Sequence, residues 1–275
     1  MIKAYAKINL GLLVTGVKDD YHTIEAINCK INLYDSIKIT KALKTKIVYD
    51  RFQIKKEDDT LYKMIMDLKY IYPNIPNLLI KIRKRIPVQA GLGGMSSDAA
   101  GILIYLNKKY DLGLGISQMK RFLLNYGTDM CYSLYNTPCL VKGIGEVVTP
   151  IDLDLPKKVI ILYPHIKLAT KDIYAKVTNY SDSLYNSSLA NYRWRKLATL
   201  LKNDLEDVVC LNYPEMQDIL STLKENIKAP VVMSGSGSAI IIYSGSKKIL
   251  KQIKKTYPDY IVGITKIINK ETKTK

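Results

Sequence analysis

The chain is poor in the residues that build metal centres and disulfide frameworks. Its 275 residues include four cysteines and two histidines. Cys29, Cys131, Cys139 and Cys210 lie far apart and form no C-x-x-C pair, so neither a zinc site nor a disulfide scaffold is expected. Reduced thiols fit a cytoplasmic setting. His22 and His165 alone cannot form a histidine-rich metal cluster. No apolar run approaches the ~18 residues of a membrane-spanning helix. Met1-Ile2-Lys3-Ala4-Tyr5 lacks the apolar core of a signal peptide. Phenylalanine is nearly absent (2) against 21 tyrosines, a bias that makes any one tyrosine a weak functional signal. The common nucleotide motifs are also missing. There is no G-x-x-x-x-G-K-[ST], no H-R-D or D-F-G, and no G-x-G-x-x-G.

What is abundant is positive charge. Lys and Arg total 42 against 25 Asp and Glu, a formal net charge of +17. Such a balance raises nucleic acid or another polyanion as partner. The lysines are dispersed over the polar faces of expected helices and strands, however, which argues against a nucleic-acid groove.

One stretch stands out: Pro87-Val88-Gln89-Ala90-Gly91-Leu92-Gly93-Gly94-Met95-Ser96-Ser97-Asp98. Before it, Leu78, Ile80 and Ile82 alternate with Lys81 and Arg83, the period of a half-buried strand. After it, Ala99, Ala100, Leu103, Ile104 and Leu106 recur at helical spacing. Three glycines between a strand and a helix let the backbone approach a ligand. The helix start offers unpaired N–H groups and the positive end of its dipole. Together these suit a phosphate-sized anion. The same stretch, taken alone, also serves as a tight turn capped by Ser96 or Ser97.

Elsewhere the pattern is mixed. Strands are expected at 2–10 with a continuation between Gly11 and Gly16, at 24–33, 36–40 and 45–49, and as one strand over 139–148. Helices are expected from about Asp58, from an N-cap at Ser117 to a stop at Gly127, from a cap at Thr170, and over 193–209 and 215–226. Residues 179–190 read as a polar, mobile surface segment and 269–275 as a solvated tail. A second glycine-rich turn, Ser234-Gly235-Ser236-Gly237-Ser238, precedes an apolar strand, 239–243; a basic helix, 246–256, and a strand, 260–268, follow. The reading is an α+β protein, helices layered on largely antiparallel sheets, with domains at 1–152 and 153–275.

Several of these pieces occur in a telling order: Ala6-Lys7-Ile8-Asn9-Leu10-Gly11-Leu12, Asp20-Tyr21-His22, the 87–100 stretch, Gly127-Thr128-Asp129, Gly143-Ile144-Gly145-Glu146, Asn203-Asp204-Leu205-Glu206 and Ser234-Gly235-Ser236-Gly237. The set resembles the superfamily named for galactokinase, homoserine kinase, mevalonate kinase and phosphomevalonate kinase. Within it the likeness is greatest to the branch of the non-mevalonate isoprenoid pathway. The resemblance implies a two-domain small-molecule kinase. Its substrates would be ATP, with Mg²⁺, and the 2-hydroxyl of 4-diphosphocytidyl-2-C-methyl-D-erythritol. It implies that Pro87, Gly91, Leu92, Gly93, Gly94, Ser96 and Ser97 bind ATP, the backbone from Gly91 to Ser97 wrapping its phosphates. It implies Asp129 as the base and Lys7 beside it, keeping it ionised and offsetting charge on the transferring group. It further implies a cytidine pocket from Tyr21, His22, Thr170 and Tyr174, with Asn9 on the substrate. Without the resemblance, Lys7 reads as a strand lysine and Asp129 as a turn residue.

The chain departs from the family pattern at named positions. Met95 stands where the family's third consecutive glycine falls, Asp20 where a glycine precedes Tyr-His, and Val17 where an arginine is usual. Thr60 replaces a common asparagine, and Cys131 a common proline.

Overall fold

In the computed structural model, residues 1–268 are described; the tail expected at 269–275 lies outside them. The chain falls into two compact units. One comprises Met1–Ala6, Leu33–Ile86 and Gly93–Leu134; the other comprises Lys7–Asn32, Pro87–Leu92 and Tyr135–Lys275. Both are assembled from separate segments of the chain.

Two long strands open the chain. β1 (Ile2–Lys18) and β2 (Tyr21–Lys41) pair with one another. The separate strands expected over 24–33 and 36–40 are therefore one strand. Only Asp19 and Asp20 lie between β1 and β2, both at positive φ (48° and 63°), as in the tight turns that match strand twist.

In the first unit, β3 (Lys46–Tyr49) runs parallel to β4 (Leu78–Arg83), and β4 runs antiparallel to the second half of β2, with Ser36 opposite Arg83 and Lys41 opposite Leu78. The period-two pattern of β4 is realised: Leu78, Ile80 and Ile82 are buried, Lys81 and Arg83 exposed. Against this sheet stand α1 (Thr60–Ile71) and α2 (Gly94–Lys109), which bury Leu61, Met64, Ile65 and Leu68, and Ala99, Ala100, Ile102, Leu103 and Leu106. Asp59 caps α1, its carboxylate accepting from the N–H groups of Leu61 and Tyr62. α3 (Ile116–Leu124) begins one residue before the expected cap, so Ser117 lies inside it. The reason is Gln118, whose Oε1 accepts the Gly115 N–H at 2.8 Å and closes the helix start there. A last short helix, α4, spans Met130–Ser133.

In the second unit, the first half of β2 pairs antiparallel with β5 (Cys139–Gly143), and β5 with β6 (Val147–Pro150). The single strand expected over 139–148 is thus a hairpin. Gly143 (φ 69°) and Gly145 (φ 115°) supply its turn, and Glu146 accepts the Ile144 N–H at 2.6 Å. β7 (Lys158–Tyr163) lies between β9 (Ile240–Ile242) and β10 (Ile261–Ile268), antiparallel to both, and β8 (Val231–Met233) pairs with β9. Among its described residues this unit has five α-helices: α5 (Thr170–Tyr174), α6 (Trp194–Ala198), α7 (Leu205–Asn212), α8 (Pro214–Asn226) and α9 (Lys247–Thr256).

The helix expected over 193–209 is two helices, α6 and α7. The chain between them is spent on β1 instead: the Leu12 N–H donates to Lys202 O at 2.7 Å and the Asp204 N–H to Leu12 O at 2.9 Å. The 179–190 segment, expected to be mobile, is held by bonds to Val14 and Glu25 and ends in a 3-10 turn, Ser187–Asn191. No helix among the described residues is long and apolar enough to cross a membrane.

Candidate active site

The second unit gathers much of the expected site around the Ser234–Ser238 turn. β1 carries Lys7 and Asn9 on one face, two residues apart as strand alternation requires. Both are buried. Lys7 Nζ donates to Asn9 Oδ1 at 2.6 Å, and Asn9 Nδ2 donates to Asn28 Oδ1 at 2.6 Å. The Asn9 N–H donates to Ser234 Oγ at 3.2 Å, and Ser234 Oγ in turn donates to Gly91 O at 3.0 Å. A chain of polar contacts therefore runs from the early lysine to the glycine loop. Buried polar groups this well satisfied hold one another in single geometries.

The turn itself is fixed from behind. Asn203 Nδ2 donates to the carbonyls of Met233 and Gly235, each at 2.8 Å. The Ala239 N–H donates to Ala90 O at 3.1 Å, and the Lys7 N–H to Leu92 O at 3.0 Å. Gly91 has φ 72°, and a Cβ there would lie 1.8 Å from Ser234 O. Only a residue without a side chain fits.

Thr170 is not the cap of α5; that position is Ala169. Its hydroxyl instead makes a 2.9 Å hydrogen bond with the hydroxyl of Ser236, tying α5 to the turn. Tyr174, at the end of α5, packs its ring 5.4 Å from that of His22, tilted by 41°. His22 is half-buried, and Tyr21 beside it is 59% exposed. Pro87 is half-buried, in the segment this unit shares with Gly91 and Leu92.

The first unit carries the remaining expected residues. The N-cap of α2 is Gly93, in the left-handed region at φ 64°, so Ser96 and Ser97 lie within the helix and do not cap it. Ser97 Oγ donates to Tyr5 O at 2.6 Å, fastening the first turn of α2 to β1. Met95 is the second helical residue and does not adopt positive φ. A helical position needs no glycine, which is why a side chain is accommodated there. Asp129 is exposed and immediately precedes α4.

Three charged side chains beneath the start of α2 were not singled out by the sequence. Lys84 Nζ lies 2.5 Å from Asp35 Oδ2 and 2.7 Å from Asp98 Oδ2, and all three residues are buried. The same ammonium lies 3.4 Å from where a Cβ on Gly94 would be. Burial, and then the neighbouring Asp35 carboxylate, push the Asp98 carboxyl up to about 7, against the pull of Lys84. Burial pulls Lys84 down, but its two carboxylates carry it above its ordinary value. The available signal was a polar residue at an apolar register, Asp35 in β2 and Asp98 among the alanines of α2. Asn28 carried the same signal among Ile24, Ala26, Ile27 and Cys29.

Comparison with known proteins gives the family and the fold. Residues 59–137 match the GHMP kinases N terminal domain. The chain is 35% identical over 240 residues to the 4-diphosphocytidyl-2-C-methyl-D-erythritol kinase of Azobacteroides pseudotrichonymphae genomovar. CFP2, covering 86% of this chain and 90% of that one. It is 32% identical to the enzyme of the same name from Thermoanaerobacter pseudethanolicus, covering 94% and 91%. In fold it matches a crystal structure of 4-(cytidine 5'-diphospho)-2C-methyl-D-erythritol kinase with TM-score 0.82, at 22% identity and over 98% and 99% of the two chains. The likeness is of whole chain to whole chain and not of one motif, and the protein belongs to the 4-diphosphocytidyl-2-C-methyl-D-erythritol kinase family.

Proposed function

We propose that this protein transfers the γ-phosphoryl group of ATP to the 2-hydroxyl of 4-diphosphocytidyl-2-C-methyl-D-erythritol, a step in making isoprenoid precursors. The observation that carries the reading is the chain of contacts from Lys7 through Asn9 and Ser234 to Gly91. It fixes a buried cation and a bare backbone loop in one unit of a kinase-family fold.

The loop from Gly91 to Ser96 presents backbone N–H groups to the ATP phosphates, with the dipole of α2 behind them, while Ser97, whose N–H donates to Gly93 O and whose hydroxyl donates to Tyr5 O, holds the helix start in place. Phosphoryl transfer asks the protein for positioning and for stabilisation of spreading charge more than for covalent chemistry. Asp129 accepts the proton of the substrate hydroxyl as its oxygen bonds to the γ-phosphorus. The bond from that phosphorus to the β–γ bridging oxygen breaks, and ADP leaves. Lys7 offsets the charge on the transferring group. Asn9 orients the acceptor, and Tyr21, His22, Thr170 and Tyr174 receive the cytidine, whose face stacks on aromatic rings.

No group of three His, Cys, Asp or Glu residues suited to a metal occurs among the described residues. Mg²⁺ would be held mainly by the phosphate oxygens of ATP, as in other nucleotide sites. Mg²⁺, when bound, neutralises phosphate charge. We place the reaction in the cytoplasm, where its four free cysteines stay reduced.

The test is an acceptor panel. ADP should form only when ATP, Mg²⁺ and the cytidyl alcohol are all present. Turnover of homoserine or mevalonate at a comparable rate, with none of the cytidyl alcohol, would overturn the assignment.

A further inference from the structure

Tyr180 is 50% exposed, on the segment between α5 and the 3-10 turn. Its ring lies 6.3 Å from that of His22, tilted by 46°, within the range of paired aromatics. His22 thus has two aromatic neighbours, Tyr174 from a helix and Tyr180 from a segment without regular structure.

That segment is fastened over the residues that directly follow Tyr180. The Ser181 N–H donates to Val14 O at 2.8 Å, and Lys202 Nζ to Ser181 Oγ at 3.2 Å. Glu25, a buried carboxylate on β2, accepts from Ser183 Oγ at 2.6 Å and from the N–H groups of Leu184 and Tyr185 at 3.1 and 2.9 Å. Lys142 Nζ lies 2.6 Å from Glu25 and neutralises it. The Tyr185 ring occupies the space above Gly11, where a Cβ would lie 2.1 Å from its hydroxyl oxygen, and that hydroxyl donates to Leu200 O at 2.9 Å. The segment buries Tyr185 and Leu189, and the bonds of Ser183, Leu184 and Tyr185 converge on one carboxylate three positions along β2 from His22. Those bonds hold the chain that directly follows Tyr180, whose ring lies beside the imidazole.

We propose that Tyr180 is a further wall of the nucleobase site, and that Glu25 is a positioning residue that holds it there. The proposal rests on the reading of Tyr21, His22 and Tyr174 as the cytidine pocket. It adds an aromatic face whose removal weakens the pyrimidine and leaves the ATP side alone.

Steady-state kinetics on the full chain test it. Tyr180→Ala should raise KM for the cytidyl alcohol about 5- to 20-fold, the lower part of the range for losing one stacking ring. KM for ATP should stay as in the wild type. Competitive inhibition by cytidine 5′-diphosphate should weaken in parallel. Tyr180→Phe, which keeps the ring, should restore both. Glu25→Ala should shift the same KM in the same direction, with Glu25→Gln, which can still accept hydrogen bonds, closer to wild type. The Tyr180 pair decides the matter even if Glu25→Ala fails to fold. The proposal falls if Tyr180→Ala leaves KM unchanged while Tyr174→Ala raises it. It falls too if the alanine and phenylalanine variants at 180 behave alike. If Tyr174→Ala and His22→Ala both leave KM unchanged, the cytidine pocket itself is misplaced and the proposal goes with it.

Discussion

The Cα of Gly91 faces the carbonyl oxygen of Ser234 so closely that a methyl group on it would sit 1.8 Å away. The oxygen belongs to the backbone of a turn that is itself held by Asn203. It cannot swing aside as the end of a long side chain could. Gly91→Ala also places a side chain at φ 72°, which costs roughly 1–2 kcal/mol by itself. The loop must therefore shift, and displacement of a catalytic loop by about 1 Å can lower the rate about 100-fold. We expect at least that loss in kcat/KM for Gly91→Ala. The check is steady-state kinetics alongside a melting curve; wild-type kinetics in a folded variant contradicts the account.

Lys7→Ala and Asp129→Asn address the chemistry. Each should lower kcat by about 10²- to 10⁴-fold, the range for losing a positioned base or a charge-stabilising group. A melting curve on Asp129→Asn, which keeps the size of the side chain, separates lost chemistry from lost fold. Turnover at wild-type rate in both variants would remove these two residues from the mechanism.

Lys84 lies between Asp35 and Asp98 with little access to water. Lys84→Met leaves two carboxylates buried without a cation and should cost about 3–5 kcal/mol, read by chemical denaturation. Loss below about 1 kcal/mol would mean that the carboxylates find water.

Asp98 gives this cluster a pH dependence. Its carboxyl is pushed up to about 7, so the folded state holds that proton more tightly than the unfolded chain, where aspartate titrates near about 3.9. Its contribution to stability is fully present below about 3.9 and is lost as pH rises through about 7. Asp98→Asn cannot ionise. The stability difference between variant and wild type should therefore move in favour of the variant between pH 4 and 7. A difference that is flat over that interval refutes the shift.

Asp20 occupies a turn position at φ 63° where the family has glycine. Asp20→Gly should relieve that strain and stabilise the protein by up to about 1 kcal/mol, seen as a higher denaturant midpoint with unchanged slope. Aspartate tolerates this conformation better than most residues, which is why the hairpin between β1 and β2 survives the departure.

Local chemistry was legible without coordinates. The alternation of Leu78, Ile80 and Ile82 dictated β4, the apolar spacing after Gly94 dictated α2, and Gly91 announced a close backbone approach. The errors fell where a distant group decided the local structure. The helix over 193–209 broke because the backbone around Lys202 and Asp204 bonds to Leu12, nearly two hundred residues earlier. Thr170 missed its capping role because Ser236 claims its hydroxyl. Glu25 and Ser183, 158 positions apart, carry no sign in the sequence that they meet.

The sequence by itself determined the glycine loop and the strands and helices on either side of it, which follow from steric and periodic rules that act over a few residues. The residue types a kinase of this family needs were legible only through the family resemblance. Only the tertiary structure decided that Ser234 backs Gly91, that Lys84 is clasped by two acids, and that Tyr180 is brought to His22. Such contacts depend on which buried donors and acceptors find one another once the sheets form. Chain spacing holds no record of that.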